Sequence, residues 1–598
     1  MTLKFHKKDC FSGVVNSLLK KSWIKRDFNK RLSLQISQKY SYSQLVSTLL
    51  ASRDLDINNI DNFLKPTLKF FLPNPLIFND MDKATKRLFL AISNNEKISI
   101  LGDYDVDGIS SIALLKKYFK YLNKPVFSYI PDRIKEGYGP NKKAIDKMKL
   151  KKISLLIMVD CGTTAFEEVV YAKKKGIDVI IIDHHKSLVN LPPAEAIINP
   201  NCLNDKSGFN YLCATGLTFI FIIFFDKILK ERRFYKNKNY PNLLNFLDLV
   251  ALATVCDVVP LIELNRAFVK QGLKVLANRT NLGLKVLADE CKLNNKPDED
   301  DLGFFYGPRI NAGGRVGRAE IGERLLNVNE NEEAELLVKQ LNTFNYQRKL
   351  IEEKVFNDSI KEINNKKMTK RNTLVLFKEN WHEGVLGIVA SRIKEKFNKP
   401  VFILSLNNNI IKGSGRSIIN FDIGSFVIQA KQKNIILKGG GHQLAAGVTL
   451  KKNKLKSFEN FFEEYILNFN KKAILDNFLN IDFSISIKGV NSELINNIKE
   501  LGPYGEGNPK PIFAIKNVKI IKPKVIGDSL KHLSLIISDL SGKSMKAVVF
   551  NCLENDLGKT ILSNYKKNLF TFVGYLKESK WSNRNYFEII IEDGCISN

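Results

Sequence analysis

The chain has 598 residues, 44% of them hydrophobic, with 92 Lys+Arg against 62 Asp+Glu and a formal charge of +30. That length suits several domains with real cores, and the charge suits a polyanionic partner, although Lys and Asn are abundant throughout. Eight cysteines without a C-x-x-C pair exclude a zinc-ribbon or disulfide framework and fit a reducing cytoplasm. The N-terminus has no signal-type apolar region, and the longest apolar run, Leu217–Phe225, is too short to span a bilayer.

The first 75 residues are basic and then helical in pattern, with Tyr42, Leu45, Val46, Leu49 and Leu50 at helical spacing, and they carry no chemical motif. Asp82–Asn94 reads as an amphipathic helix capped by Asp82. It leads into Ile98–Ser111, ISILGDYDVDGISS, apolar like a buried strand and then acidic at Asp103, Asp105 and Asp107. In extended backbone these three point to one face, where carboxylates repel unless a cation lies between them.

An alternating rhythm follows. Val126–Ile130 predicts a strand, then a basic loop, Pro131–Pro140, with Arg133, Lys135 and Tyr138. Ile153–Val159 and Ile177–Ile182 are buried-strand runs ending at Asp160 and at Asp183-His184-His185. Strands alternating with helices predict a mostly parallel sheet covered on both faces, whose carboxyl edge gathers these loops. Phe246–Val255 predicts a buried helix that delivers Asp257. Asp301–Arg318, DLGFFYGPRINAGGRVGR, reads as a glycine-rich loop whose Arg309 and Arg315 suit phosphates. From Glu330 to about Ile363 a long polar helix with one narrow apolar stripe suits a connector.

A second α/β unit starts near Thr373. Its strands, Leu374–Phe377, Pro400–Leu404 and Ile410–Lys412, lead to Gly413–Ser417, with Ser414 and Arg416, and to the turn Gly439–Gly447, with His442. These loops hold a phosphate-cradle inventory without a nucleophile or an acidic cluster. Beyond Ile481, five short runs (Val518–Ile521, Leu533–Ile537, Met545–Phe550, Leu569–Val573, Phe587–Ile591) predict a small OB-type barrel. Phe572, Tyr575, Trp581 and Tyr586 are candidates to stack bases, Trp581 being the best exposed.

The histidines number only six, and two are adjacent. Neighbours in extended backbone face opposite ways, so His184 and His185 serve one site only in different roles: His184 as metal ligand, His185 on the substrate side. Carboxylate-rich sites with one or two imidazoles suit Mg²⁺ or Mn²⁺. Two such ions about 4 Å apart clamp a phosphoryl group and activate water. The chemistry points to phosphoester or phosphoanhydride hydrolysis.

In order, GDYDVDG, VDCGTT, IIDHH and CDVVP resemble the four motifs of the DHH phosphoesterases. GPRINAGGR, KGSGRS, GGGHQLAAG and PYGEGNPKPIF resemble those of the longer bacterial members, the RecJ-type exonucleases specific for single-stranded DNA. One departure is Lys438, where an apolar or aromatic residue is expected. The resemblance implies 5′→3′ degradation of single-stranded DNA to 5′-mononucleotides in repair and recombination. It implies metal-ligand roles for Asp105, Asp107, Asp160, His184 and Asp257, with Asp103 and His185 on a second metal or the substrate side. It implies that Arg133, Arg315, Ser414 and Arg416 hold substrate phosphates, with His442 in the same pocket; Tyr138, Arg309 and Asn311 are counted with them. The implied layout is a segment 1–75, a DHH catalytic α/β domain 76–328, a connecting helix 329–365, a DHH-associated domain 366–470 and an OB-like nucleic-acid-binding domain 471–598. A monomer is expected, with a helicase and a single-strand-binding protein as partners. The alternatives are a DHH phosphodiesterase acting on short or cyclic oligonucleotides and a non-catalytic single-strand-binding scaffold.

Overall fold

The computed structural model describes residues 10–53, 55–235, 240–407, 409–468, 477–527, 530–581 and 584–597. The chain divides into two compact units, Pro66–Asn468 with Gly505–Gly507, and Met1–Lys65 with Phe469–Tyr504 and Asn508–Asn598.

In the larger unit a five-stranded parallel sheet forms from β1 (Ile98–Gly102), β2 (Phe127–Tyr129), β3 (Leu155–Val159), β4 (Asp178–Ile182) and β5 (Ala196–Ile198), in the order β2-β1-β3-β4-β5. Every residue of β1 and β3 is buried, so both read as continuous apolar runs rather than alternating ones. The order reverses between β1 and β3, and the carboxyl ends at such a switch are where open α/β sheets bind ligands. Register does the rest. Gly102 pairs with Val159, Val159 with Ile182 and Ile182 with Ile198. The next residues, Asp103, Asp160, Asp183 and Asn199, therefore line up on one edge.

The helices that matter are α1 (Val106–Tyr121), α2 (Ala214–Glu231), α3 (Leu247–Cys256), α4 (Leu282–Glu290), α5 (Gly307–Val316) and α6 (Asn331–Asn365). α1 and α2 are buried along most of their length in the main core. The connector α6 spends its first half, at Leu337, Val338 and Leu341, on that core. Its second half, at Val355, Phe356 and Ile363, packs on the core of the second sheet. That sheet comprises β6 (Leu374–Glu379), β7 (Val401–Asn407), β8 (Ile410–Arg416), β9 (Lys438–Gly441) and β10 (Ala445–Lys451), ordered β9-β10-β8-β7-β6, with only β6 and β7 parallel.

Local readings change in four places. The helix at Asp82 is Met81–Ser93; Asp80 holds the cap position but turns its side chain to the Ile197 N–H at 3.0 Å, and Asp82 pairs with Lys86 in the first turn. The glycine-rich stretch is helical from Asp301 to Val316, a π-turn at Leu302–Tyr306 running into α5. Its glycines serve close packing: a Cβ on Gly314 would sit 2.4 Å from the Tyr104 carbonyl oxygen. Gly413–Arg416 is strand, not loop, because β8 stays paired with β7 and β10 to its end. Gly439–Gly447 is a hairpin in which Lys438 is exposed on edge strand β9, so its charge meets water.

In the smaller unit, Ser22–Lys25 pairs in parallel with Phe478–Ile481. A seven-stranded sheet curls so that Phe513–Ile520 pairs with both Phe570–Trp581 and His532–Ser538, giving the partly closed ring of an OB-type barrel. Its strands Phe570–Trp581 and Arg584–Ile596 are longer than the sequence runs suggested. Ile36, Val46, Leu49 and Ile60 share the barrel's core. Among the aromatic candidates, Phe572 is buried against Phe570 and belongs to that core. Tyr575 and Tyr586 are half-buried under Lys510 and Lys546. The Trp581 side chain lies outside the described residues.

Candidate metal centre and phosphate site

The carboxyl edge gathers the acidic residues as the register requires. Asp105 caps α1, its Oδ1 accepting from the Asp107 and Gly108 N–H groups at 2.9 and 3.2 Å. Asp107, two residues on and already in the first turn of α1 rather than in extended backbone, accepts from the Ala214 N–H (2.7 Å), the Thr215 N–H (2.8 Å) and the Thr215 hydroxyl (2.6 Å). The α2 N-terminus thus fixes Asp107, and helix N-termini favour negative charge. Asp160 follows β3 with φ +58°, a conformation uncommon for a side-chain-bearing residue and often found at functional sites. Asp257 stands at the C-cap of α3.

His184 joins three of these groups. Its Nε2 lies 3.3 Å from Asp160 Oδ1, 3.5 Å from Asp257 Oδ2 and 3.8 Å from Asp107 Oδ2. Burial holds the imidazole pKa below its ordinary value, so the ring is neutral at neutral pH. Asp103 Oδ1, Asp160 Oδ1 and Asp257 Oδ2 are buried without a hydrogen-bond partner. Burial first, then the charges of neighbouring aspartates, pushes all three carboxyls well above the usual range. Buried oxygens left unpartnered beside an imidazole nitrogen fit a cation, which would be liganded where no proton donor reaches. Among the described residues three donor sets have atoms close enough to share an ion: Asp107–His184–Asp257, Asp103–Asp105–Asp160 and Asp160–His184–His185. Asp160 and His184 each belong to two of these sets.

Asp183 behaves differently. It accepts from the His184 and His185 N–H groups, from His185 Nδ1 at 2.8 Å and from the Thr163 N–H. Burial opposes its ionisation, but His185 outweighs burial and holds the carboxyl well below its usual range. Burial likewise disfavours the His185 cation; the Asp183 bond and charge outweigh it and lift the pKa to about 9. The two histidines are therefore split, one neutral and one charged. Tyr138 donates to the Asp160 carbonyl at 2.9 Å and lies 3.1 Å from His185 Nδ1.

The basic residues cluster next. Arg133 stacks over the Tyr104 ring at 4.7 Å, and both line a cavity of about 390 Å³ with Arg315 and Arg318. Burial, then Arg133 and Arg348, pushes Arg315 down to about 10. Burial and Arg133 also lower Arg416, whose Nη1 donates to Ser414 Oγ at 3.1 Å. His442 is exposed, its ring 6.4 Å from that of His185. Two expected residues are engaged elsewhere. Arg309 donates to Asn342 Oδ1 and the Phe305 carbonyl, and Asn311 Oδ1 accepts from the Val106 N–H at 3.1 Å. Sequence reasoning missed Thr215 and Arg348. A threonine pair, Thr215 and Thr218, in the otherwise uncharged first half of the helix Ala214–Glu231 was the available signal for the first; nothing marked the second among the charges of α6.

Comparison with known proteins agrees with this layout. The chain matches the models for the DHH family N-terminal domain (residues 97–254), the DHHA1 domain (370–468) and the RecJ OB domain (481–593). It is 32% identical over 533 residues to the single-stranded-DNA-specific exonuclease RecJ of Haemophilus influenzae, covering 87% of this chain and 92% of that protein. The crystal structure of Thermus thermophilus RecJ in complex with Mn²⁺ shares the fold, with a TM-score of 0.76 at 24% identity over 95% of this chain and 78% of that one. A structure of exonuclease RecJ bound to manganese matches at 30% identity, with a TM-score of 0.56 over 67% of this chain and 98% of that one. The chain belongs to the RecJ family of single-stranded-DNA-specific exonucleases.

Proposed function

We propose that this chain is a metal-dependent exonuclease that degrades single-stranded DNA from the 5′ end to 5′-mononucleotides, in DNA repair and recombination. The observation that carries the reading is the set of three partnerless buried carboxylate oxygens, on Asp160 and Asp257 beside His184 and on Asp103 beside Asp160. Mg²⁺ or Mn²⁺ is the proposed cofactor, and the manganese in the 30%-identical RecJ structure supports it. Asp107, His184 and Asp257, with Asp160 3.3 Å from the imidazole, would hold one ion, and Asp103, Asp105 and Asp160 a second. Bound there, the metals supply Lewis-acid polarisation of the phosphoryl group and a nucleophilic water.

The chain's own groups do the rest. The α2 N-terminus and the Asp105 cap keep the cluster rigid, which limits reorganisation during reaction. His185, charged through Asp183, offers its N–H to a phosphate oxygen. Burial first, and then the nearby charge of Arg133, depresses Arg315 and Arg416, and a phosphate among these guanidinium groups relieves that repulsion. A terminal 5′-phosphate in that position, beside Ser414, sets the cutting register. Tyr138 and His442 line the approach, and Arg309 and Asn311 support it by holding α5 and α1. Tyr575 and Tyr586 of the barrel stack bases of the strand. By this reading residues 76–328 catalyse, 366–470 hold the terminal phosphate and 471–598 grip the strand, with 329–365 as the connecting helix.

No helix among the described residues is long and apolar enough to cross a membrane. We place the enzyme in the cytoplasm as a monomer, served by a helicase and a single-strand-binding protein. The test is a digestion of 5′- and 3′-labelled single strands and duplex with Mg²⁺, Mn²⁺ or chelator. Release of 5′-label as mononucleotide from single strands alone, and only with metal, is expected. Release from the 3′ end, or in chelator, contradicts the reading.

A further inference from the structure

A cavity of about 470 Å³ opens in the larger unit, walled by α3, α4 and the π-turn Leu302–Tyr306. None of the acidic or basic residues assigned above lines it, and its size suits a nucleotide. Leu276, Leu284 and Tyr306 give it an apolar slot. Asp248, 3% exposed, lies in the wall, its Oδ1 accepting from the Leu249 N–H at 2.8 Å and its carboxylate also bonded by the Asn281 side chain; burial lifts that group to about 6 against these bonds and the charge of Lys117. Lys285 and Lys296 stand exposed along the lining.

This donor and acceptor set discriminates between ligands. A carboxylate has about four acceptor sites, and those beyond the ones that Leu249 and Asn281 use on Asp248 suit two adjacent N–H groups, which the pairing edge of guanine presents. Adenine presents a ring acceptor there, against which a carboxylate is repelled. Flexible lysines at the opening suit phosphate as point charges. Two walls also run on to the metal cluster. α3 carries Asp248 in its first turn and ends at Asp257. The π-turn leads into α5 at Gly307, where a Cβ would lie 2.4 Å from Cys256 Sγ, the residue before Asp257.

We propose that this cavity is a second ligand site, for a guanine nucleotide, and that its occupancy changes the cleavage rate by shifting α3 and with it Asp257. The rate arm rests on the exonuclease reading; the binding arm does not. Titration calorimetry on the full chain, in chelator with excess single-stranded oligomer to fill the substrate site, tests binding of GDP against ADP. One GDP per chain is expected, with ADP weaker by about tenfold or more. Asp248→Asn and, independently, Leu284→Trp are each expected to weaken GDP by a similar factor, with thermal melting to check folding. If Leu284→Trp does not fold, Asp248→Asn, which keeps an acceptor for the Leu249 N–H, decides. In Mn²⁺, saturating GDP is expected to change kcat in the wild type and not in Asp248→Asn. Absence of saturable GDP binding, equal binding of ADP, undiminished binding to a folded variant or an unchanged wild-type kcat overturns the proposal.

Discussion

Asp593 in the barrel unit and Asp160 at the head of β3 are both buried, 0% and 2% exposed. Asp593 accepts from the Ser17 hydroxyl, the Trp23 indole N–H at 3.0 Å and the Leu19 and Gly594 N–H groups. Asp160 Oδ1 has no hydrogen-bond donor and faces two histidine nitrogens at 3.3 and 3.9 Å. Burial is common to both, so burial alone does not mark a reactive carboxylate. What distinguishes them is supply: the first is saturated with donors that tie the N-terminal segment to a barrel strand, and the second is left open where a cation fits.

Substitutions can break this contrast. The largest effect is expected from Asp160→Asn, a loss of about a thousandfold or more in kcat, since the metals' charge stabilisation is worth several kcal/mol. The melting temperature in chelator should not fall, because the variant removes an uncompensated charge. Asp593→Ala should do the reverse. Stranding the buried Ser17 and Trp23 donors should destabilise the smaller unit by about 3 kcal/mol, read by denaturant titration, with Mn²⁺ affinity unchanged.

Proton linkage sharpens the same point. Asp103, Asp160 and Asp257 have folded pKa values above the unfolded ones. Folding therefore favours their protonated forms. The stability they contribute is full below the unfolded carboxylate pKa near 4 and is lost as pH rises through the folded values. Metal-free protein should melt lower at about pH 8 than at about pH 5 from these groups, and Mn²⁺ at 100 times its Kd should restore about 2.7 kcal/mol at the higher pH. Asp160→Asn should flatten the metal-free trend; an unchanged slope would show that the open cluster is not its source. The smallest effect is expected from Arg309→Ala, because Arg309 already bonds to Asn342 and Phe305. Its KM for a 5′-phosphorylated oligomer should rise less than about threefold, against about tenfold or more for Arg315→Ala.

The parallel sheet was legible because buried strands and amphipathic helices carry different periods, and each strand ran straight into its acidic loop. The convergence of Asp103, Asp160 and His184 followed from that topology. Less was legible where contacts are remote in sequence. Ser22–Lys25 pairs with Phe478–Ile481, and no local pattern announces a partner so far away. The glycines of 301–318 and 413–416 read as loop because glycine is weak in both helix and strand, yet at Gly314 tight packing selects it. Asp183 and Asp160 both follow buried strands, and only the positions of the Thr163 and His185 donors separate a positioning carboxylate from an open one.

Mn²⁺ binding itself tests the central claim most directly. Calorimetric titration of the wild type, Asp160→Asn and Asp593→Ala should show saturable binding weakened by about tenfold or more in the first variant and unaltered in the second. Equal Mn²⁺ affinity in the wild type and Asp160→Asn would contradict the account.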